Sequence, residues 1–222
     1  MSTEVNKDLW QYWFPRKEGT IEFEIPMLEQ LLAKRDGTIR ILDLGCGTGR
    51  HVLYFARRKK FEVYGFDMSP YGINTAKEAL AKEGLTANLR VHDMTSRFDY
   101  PDLFFDAVIS TRVIGHAYIA QVRQIATEIE RILKADGYLY LQVPSDEWER
   151  KLIEEKGGES KVKFVEPMTH IPLEGDEKGV PHHHFNKEEL LELFPNFRVL
   201  DIHSATDHYG GYCFLAQKSV SS

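Results

Sequence analysis

The chain has 222 residues, 42% of them hydrophobic and 28% charged, which is enough for one α/β domain with a sizeable core. A net charge of −6 argues against an extended nucleic-acid surface. Two cysteines are too few for a disulfide framework or a cysteine zinc cluster, and no apolar run reaches the length of a membrane span.

The opening eight residues are polar and predict no signal peptide. Cys46 and Cys213 both fall in segments expected to be core, where reduced thiols are the ordinary state. A cytoplasmic location is therefore expected. Residues 9–15, Leu-Trp-Gln-Tyr-Trp-Phe-Pro, are unusually aromatic for a terminus. They predict either a helix packed on the sheet or a lid over a bound ligand, with Trp13 as the candidate contact. Residues 22–34 follow as an amphipathic helix carrying Phe23, Met27, Leu28, Leu31 and Leu32.

An apolar run over residues 39–44 then ends in three glycines at alternate positions, Gly45, Gly47 and Gly49, and a helix is predicted over 51–60. Strand, glycine loop and helix together prepare a site for a nucleotide-like ligand. The dinucleotide pattern would place its third glycine one residue later, where Arg50 stands. With Asp43 two residues ahead of Gly45, the stretch Asp43-Leu44-Gly45-Cys46-Gly47-Thr48-Gly49 resembles the first motif of the class I S-adenosylmethionine (SAM)-dependent methyltransferases. The resemblance implies that loop carbonyls receive the methionyl ammonium of the cofactor, that Asp43 attracts it or orients the loop, and that Cys46 and Thr48 line the same turn.

The second strand, residues 62–66, ends in Asp67-Met68-Ser69-Pro70. An acidic residue here, about twenty residues past the glycine loop, is placed to reach the ribose hydroxyls of a bound nucleoside. Ser69 serves to cap the helix that Pro70 begins, which leaves Asp67 for the ligand, with Met68 beside it. A helix over 71–83 leads to a third strand, 89–92, ending in Asp93-Met94. The resemblance implies that Asp93 accepts from the adenine amino group and that Met94 packs on the ring; the bare sequence is equally satisfied by a loop cap.

Residues 104–110 form the fourth strand, followed by Thr111-Arg112-Val113-Ile114-Gly115-His116-Ala117. This resembles the family's fourth motif, whose strand end faces the sulfonium, and it makes Thr111 a candidate cofactor contact. His116 and Tyr118 are the first candidates for a general base, with His182 and His184 next. Residues 118–134 predict a helix and 138–143 the fifth strand. Residues 145–185 are longer than a crossover needs. They predict a charged helix over 146–155 and a hairpin whose strands, 162–172 and 180–185, flank a polar turn over 174–179. A last helix from 187 to 194 and two closing strands complete the chain.

Of nine histidines, His182, His183 and His184 are consecutive. On an extended segment His182 and His184 share a face, which His170 can join from across the hairpin. With no Cys pair and no helical His-Glu pair to support it, no metal site is expected. The basic run Arg57-Arg58-Lys59-Lys60 reads as a solvated helix end.

The resemblance implies an α/β fold with a seven-stranded, mostly parallel sheet, helices on both faces and the last strand antiparallel, to which the residue pattern adds a hairpin insertion after the fifth strand. The expected organisation is an N-terminal helical segment (1–36), a SAM-binding core (37–144), an insertion shaping the acceptor pocket (145–185) and the rest of the sheet (186–222). The implied activity is methyl transfer from SAM to a small-molecule acceptor, yielding S-adenosylhomocysteine. Nucleic acid and membrane are not expected partners, and oligomeric state is not readable. The alternatives are a methyltransferase acting on tRNA or protein, an NAD-dependent oxidoreductase, and a cofactor-binding module without chemistry.

Overall fold

A computed structural model describes residues 24–155, 161–205 and 210–220, leaving the side chains of 148, 149 and 152 aside. The aromatic N-terminal segment, Trp13 included, lies outside the described residues. The elements run α1 (Glu24–Ala33), β1 (Ile39–Leu44), α2 (Arg50–Ala56), β2 (Phe61–Asp67), α3 (Pro70–Lys82), β3 (Asn88–Val91), β4 (Phe105–Thr111), α4 (Ile119–Ile132) and β5 (Leu133–Val143). Then come α5 (Asp146–Glu155), β6 (Val162–Glu166), β7 (Thr169–Pro172), β8 (His182–His183), α6 (Lys187–Leu193), β9 (Phe197–Ser204) and β10 (Tyr212–Lys218).

Seven strands form one sheet in the order β3-β2-β1-β4-β5-β10-β9. The pairings from β3 through β5 are parallel, and β10 runs antiparallel to both β5 and β9. Alternation along the strands divides the core in two. Leu42, Leu44, Leu139, Leu141 and Phe214 face α4 and α6, where Val122, Ile125, Ile129 and Leu190 meet them. Ile39, Ile41, Tyr140, Cys213 and Leu215 face α1, α2 and α3, meeting Leu28, Leu32, Phe55, Ile73 and Leu80. A two-residue strand period against a helical period of 3.6 is what lets one sheet serve two helical layers. Each fully buried Leu or Ile adds about 1.5–3 kcal/mol. Among the described residues no helix is long and apolar enough to cross a membrane.

The insertion is richer than one hairpin. The polar turn separates β7 from β8 as expected, but the first arm reverses on itself at Pro167 and Met168, giving a three-stranded antiparallel sheet in the order β6-β7-β8. Pro167 offers no N–H to a ladder, and Met168 sits at φ 61°, a left-handed geometry that turns the chain. This small sheet is stitched to the carboxyl edge of the large one. His183 N–H donates to Gly115 O (2.7 Å), and Phe185 N–H donates to Pro144 O (2.9 Å). The Glu166 carboxylate accepts from Ile119 N–H at the start of α4 (3.1 Å).

The basic run is tied down locally. Arg57 holds Glu83 (2.6 Å), Arg58 holds Glu29 (2.5 Å), and Lys60 Nζ donates to Ala33 O at the end of α1 and to Arg35 O just past it, each at 2.6 Å.

Candidate functional site

Strands β1, β2 and β3 are laid down in one direction across the sheet, and β4 then pairs on the other side of β1. The crevice at the carboxyl ends of β1 and β4 is thus the topological switch point, where open α/β sheets bind ligands. The glycine loop leaves β1 there. Gly45, Gly47 and Gly49 all take positive φ, 74°, 51° and 88°, so the turn demands glycine on conformational grounds alone. Space is a second demand. A Cβ on Gly45 would lie 2.3 Å from a Val113 methyl, and one on Gly49 would lie 2.7 Å from Ala76 Cβ. The room beside those two glycines is filled by the protein itself.

Phe66 O accepts from both Gly45 N–H and Cys46 N–H, at 2.9 and 3.0 Å. Asp67 follows directly. Its Oδ2 accepts from Gly47 N–H and its Oδ1 from Ser69 N–H, each at 2.8 Å. Ser69 Oγ caps α3 through Gly72 N–H (3.1 Å), as the sequence suggests, yet Asp67 is not left idle: it fastens the glycine loop to the end of β2. A carboxylate offers about four acceptor positions, so each oxygen keeps a second one for a ligand hydroxyl. Burial raises the Asp67 pKa, the two backbone donors pull it back, and Asp43 adds to the rise. Met68 beside it is half-buried, as is Thr48 in the loop.

Beneath the loop Asp43 is 2% exposed. Its Oδ2 accepts no hydrogen bond among the described residues and lies 3.7 Å from Nδ1 of His51. A buried carboxylate oxygen left without a donor carries a desolvation cost, which a nearby cation offsets. Cys46 is buried beside it, and burial first, then Asp43 and Asp67, push its thiol pKa well up. It is an inert neutral thiol. A glycine cradle, a buried carboxyl below it with one oxygen lacking a donor among the described residues, and a half-used carboxylate at the end of β2 fit a ligand bearing an ammonium and a ribose.

At the end of β3, Asp93 Oδ1 accepts from Thr95 N–H (2.8 Å) and Thr95 Oγ1–H (2.7 Å). Both bonds fall on one oxygen, and Oδ2 takes no part in that turn. Met94 packs in the core beside Phe66 and Phe98. Thr111 ends β4 half-buried. Beyond it Arg112 takes φ 60°, an uncommon backbone region for a residue with a Cβ, while its N–H donates to Gln142 O (2.7 Å).

The loop after β4 joins the glycine cradle to the insertion. Val113 touches Gly45, His116 N–H donates to Val113 O (2.9 Å), and the His116 ring meets the His182 ring edge-on with centroids 5.0 Å apart. Tyr118 stands just before α4, its N–H donating to Gln121 Oε1 (3.0 Å). His170 pairs with His182 in register and shares a 2.7 Å hydrogen bond with His184. His184 is 4% exposed. Burial, with His170 and His183 beside it, drives its pKa down to about 3. It is a neutral interior group of the insertion. His183 points to the other face, bonded to Thr169 Oγ1 (2.8 Å) and Glu189 (3.0 Å).

Two residues outside the sequence-level set belong here. His51 sits against Asp43, and Glu177, in the polar turn, approaches both His116 and His182 at 3.9 and 3.7 Å. His51 had a signal, its place in the first turn of the helix after the glycines. Glu177 had none, because five charged or glycine neighbours make a turn residue indistinct.

Residues 35–198 match the family described as "Methyltransferase domain". The sterol 24-C-methyltransferase of Gibberella zeae is 31% identical over 118 residues, 52% of this chain and 30% of that protein. The 2-methyl-6-phytyl-1,4-hydroquinone methyltransferase of Synechocystis is 31% identical over 122 residues, 51% of this chain and 37% of that protein. The chain therefore spans about a third of the length of these curated relatives. Among solved structures, a SAM-dependent methyltransferase from Methanosarcina mazei superposes with a TM-score of 0.69 at 23% identity, over 86% of this chain and 98% of that one.

Proposed function

Because the chain belongs to the methyltransferase-domain family, we propose that it transfers a methyl group from SAM to a small-molecule acceptor and releases S-adenosylhomocysteine. The observation that carries this reading is Asp67, whose carboxylate binds Gly47 N–H of the glycine loop and keeps acceptor capacity at the end of β2. In this reading Asp67 accepts from the ribose hydroxyls and Asp93 Oδ2 from the adenine amino group, with Met68 beside the nucleoside. Residues 45–49 cradle the methionyl part, and Asp43 holds its ammonium electrostatically. Thr111 borders the methyl group.

The bound cofactor supplies an electrophilic methyl on a positively charged sulfur. The protein aligns the acceptor in line with it and keeps water out. The three-stranded insertion, held to the edge of β4 and β5, walls the acceptor side. A proton released by the acceptor finds His116, Tyr118 and His182 on that side, whereas His184 is spent within the insertion. The names of the sterol and hydroquinone relatives support a small organic acceptor. So does the −6 charge, which disfavours an extended phosphate-binding surface.

Calorimetric titration with S-adenosylhomocysteine, with NADH in parallel, tests this reading. Micromolar binding of the first alone is the expected result. Binding of NADH alone, or of neither by a folded chain, overturns it.

A further inference from the structure

We infer that His116, Glu177 and His182 form a site for a divalent first-row transition metal ion, zinc foremost, on the acceptor side of the sheet. The three residues come from three separate places: the loop after β4, the turn between β7 and β8, and β8 itself. Their ligand atoms all lie within 4.8 Å of one another. His116 Nε2 is 3.9 Å from Glu177 Oε1, and His182 Nε2 is 3.7 Å from Oε2 of the same carboxylate. These separations exceed a hydrogen bond. Donors about 2.0–2.2 Å from a tetrahedral ion stand about 3.4 Å apart, so an ion between the three needs only small side-chain adjustments.

Two imidazoles and one carboxylate suit zinc and the neighbouring first-row ions. Three protein ligands leave at least one position open, which is the arrangement of a reactive site. The side chains are 16%, 29% and 14% exposed, accessible to an entering ion yet mostly shielded. The frame is firm. His183 N–H is bonded to Gly115 O, which brings β8 to the loop of His116, and Val180 N–H returns to Glu177 O (3.0 Å) to close the turn. The His170 ring lies flat against His182, centroids 5.2 Å apart at 26°, restricting its rotation. A second convergent group, Glu24, His203 and Cys213, is different. There His203 binds Glu24 at 2.8 Å, and Tyr140 O–H reaches Glu24 and Cys213, so His203 and Glu24 stand at hydrogen-bond distance rather than at the spacing of ligands around an ion.

The site adjoins the cradle, since Val113 touches Gly45 and His116 follows one turn later. An ion there favours an acceptor with a hydroxyl or thiol that, on coordination, gives up its proton to solvent water before the methyl arrives, so that no protein base is needed. That last step rests on the methyl-transfer reading; metal binding does not.

The test starts from full-length protein stripped with EDTA and dialysed, titrated with zinc chloride by calorimetry and with cobalt(II) by visible absorption. The expected result is one zinc ion per chain with micromolar or tighter affinity, and cobalt bands in the range of low coordination number. Glu177→Gln and His182→Ala should each weaken zinc binding by about tenfold or more, with circular dichroism unchanged. Absence of saturable zinc uptake by the folded chain overturns the proposal. So does wild-type affinity in folded Glu177→Gln, a substitution in a surface turn. S-adenosylhomocysteine titrated into the same stripped sample separates the two readings: its binding without zinc uptake removes the metal site alone, and zinc uptake without its binding removes methyl transfer alone.

Discussion

Asp67 shows how one side chain that orders the local structure is also placed, in the proposed reading, to meet the ligand. Its two oxygens hold Gly47 N–H and Ser69 N–H, so the groups that order the glycine loop are those that would meet the ribose. Asp67→Ala should weaken S-adenosylhomocysteine binding by about 1–3 kcal/mol, the range for a lost charge-assisted hydrogen bond, when measured by calorimetry. Equal affinity in the folded variant removes the ribose assignment. Gly45 makes a complementary point. Its missing Cβ makes room for Val113, so the close approach at this motif glycine is made by the loop that carries His116.

Among the elements, α4 illustrates how a helix is held at both ends by groups distant in sequence. Glu166 of the insertion receives its first N–H. Near the other end Glu128 accepts from Phe98 N–H (2.7 Å) and pairs with Arg131, which also reaches Asp102. The Arg131 guanidinium bonded to Glu128 holds its carboxyl below the ordinary 4.5, against the upward push of burial. A folded pKa below the unfolded one means stability that is present above about pH 4.5 and is lost as pH falls through the folded pKa. Glu128→Gln should therefore cost about 1–2 kcal/mol at pH 7, and its gap to wild type should close below pH 4.5 in urea unfolding. A gap of constant size down to pH 3 would assign the loss to packing instead. The helix itself ends at Ile132, short of the predicted Lys134, because β5 already pairs with β4 at Leu133 opposite Phe105.

For the molecule as a whole, the decisive relation is the docking of the small sheet on the large one. Gly115 is the contact point: a Cβ there would lie 2.9 Å from His183 O, the carbonyl of the strand its own O binds. Gly115→Val should push the insertion off the edge of β4 and β5. Hydrogen exchange at residues 183–185 should quicken by tenfold or more, about 1.4 kcal/mol of lost protection, while exchange in β1 and β4 stays as in wild type. Uniform acceleration across the core would mean that the insertion and core unfold as one unit.

Local pattern alone carried the central part of this protein. The apolar run before Gly45, the alternate glycines, the acids ending β2 and β3 and the helical spacing of α4 are short-range signals. Each reflects a backbone or burial demand that a few neighbouring residues express. The mostly parallel sheet and its antiparallel last strand matched the family resemblance that those motifs support, while the strand order came from the folded structure. What only tertiary structure decided was how the loop after β4 and the insertion meet each other and the glycine loop. Val113 against Gly45, His183 on Gly115 and Glu177 between His116 and His182 join residues far apart in the chain. A turn residue such as Glu177 leaves no periodic trace of its partners. Its chemistry arises only when folding brings two imidazoles to either side of one carboxylate.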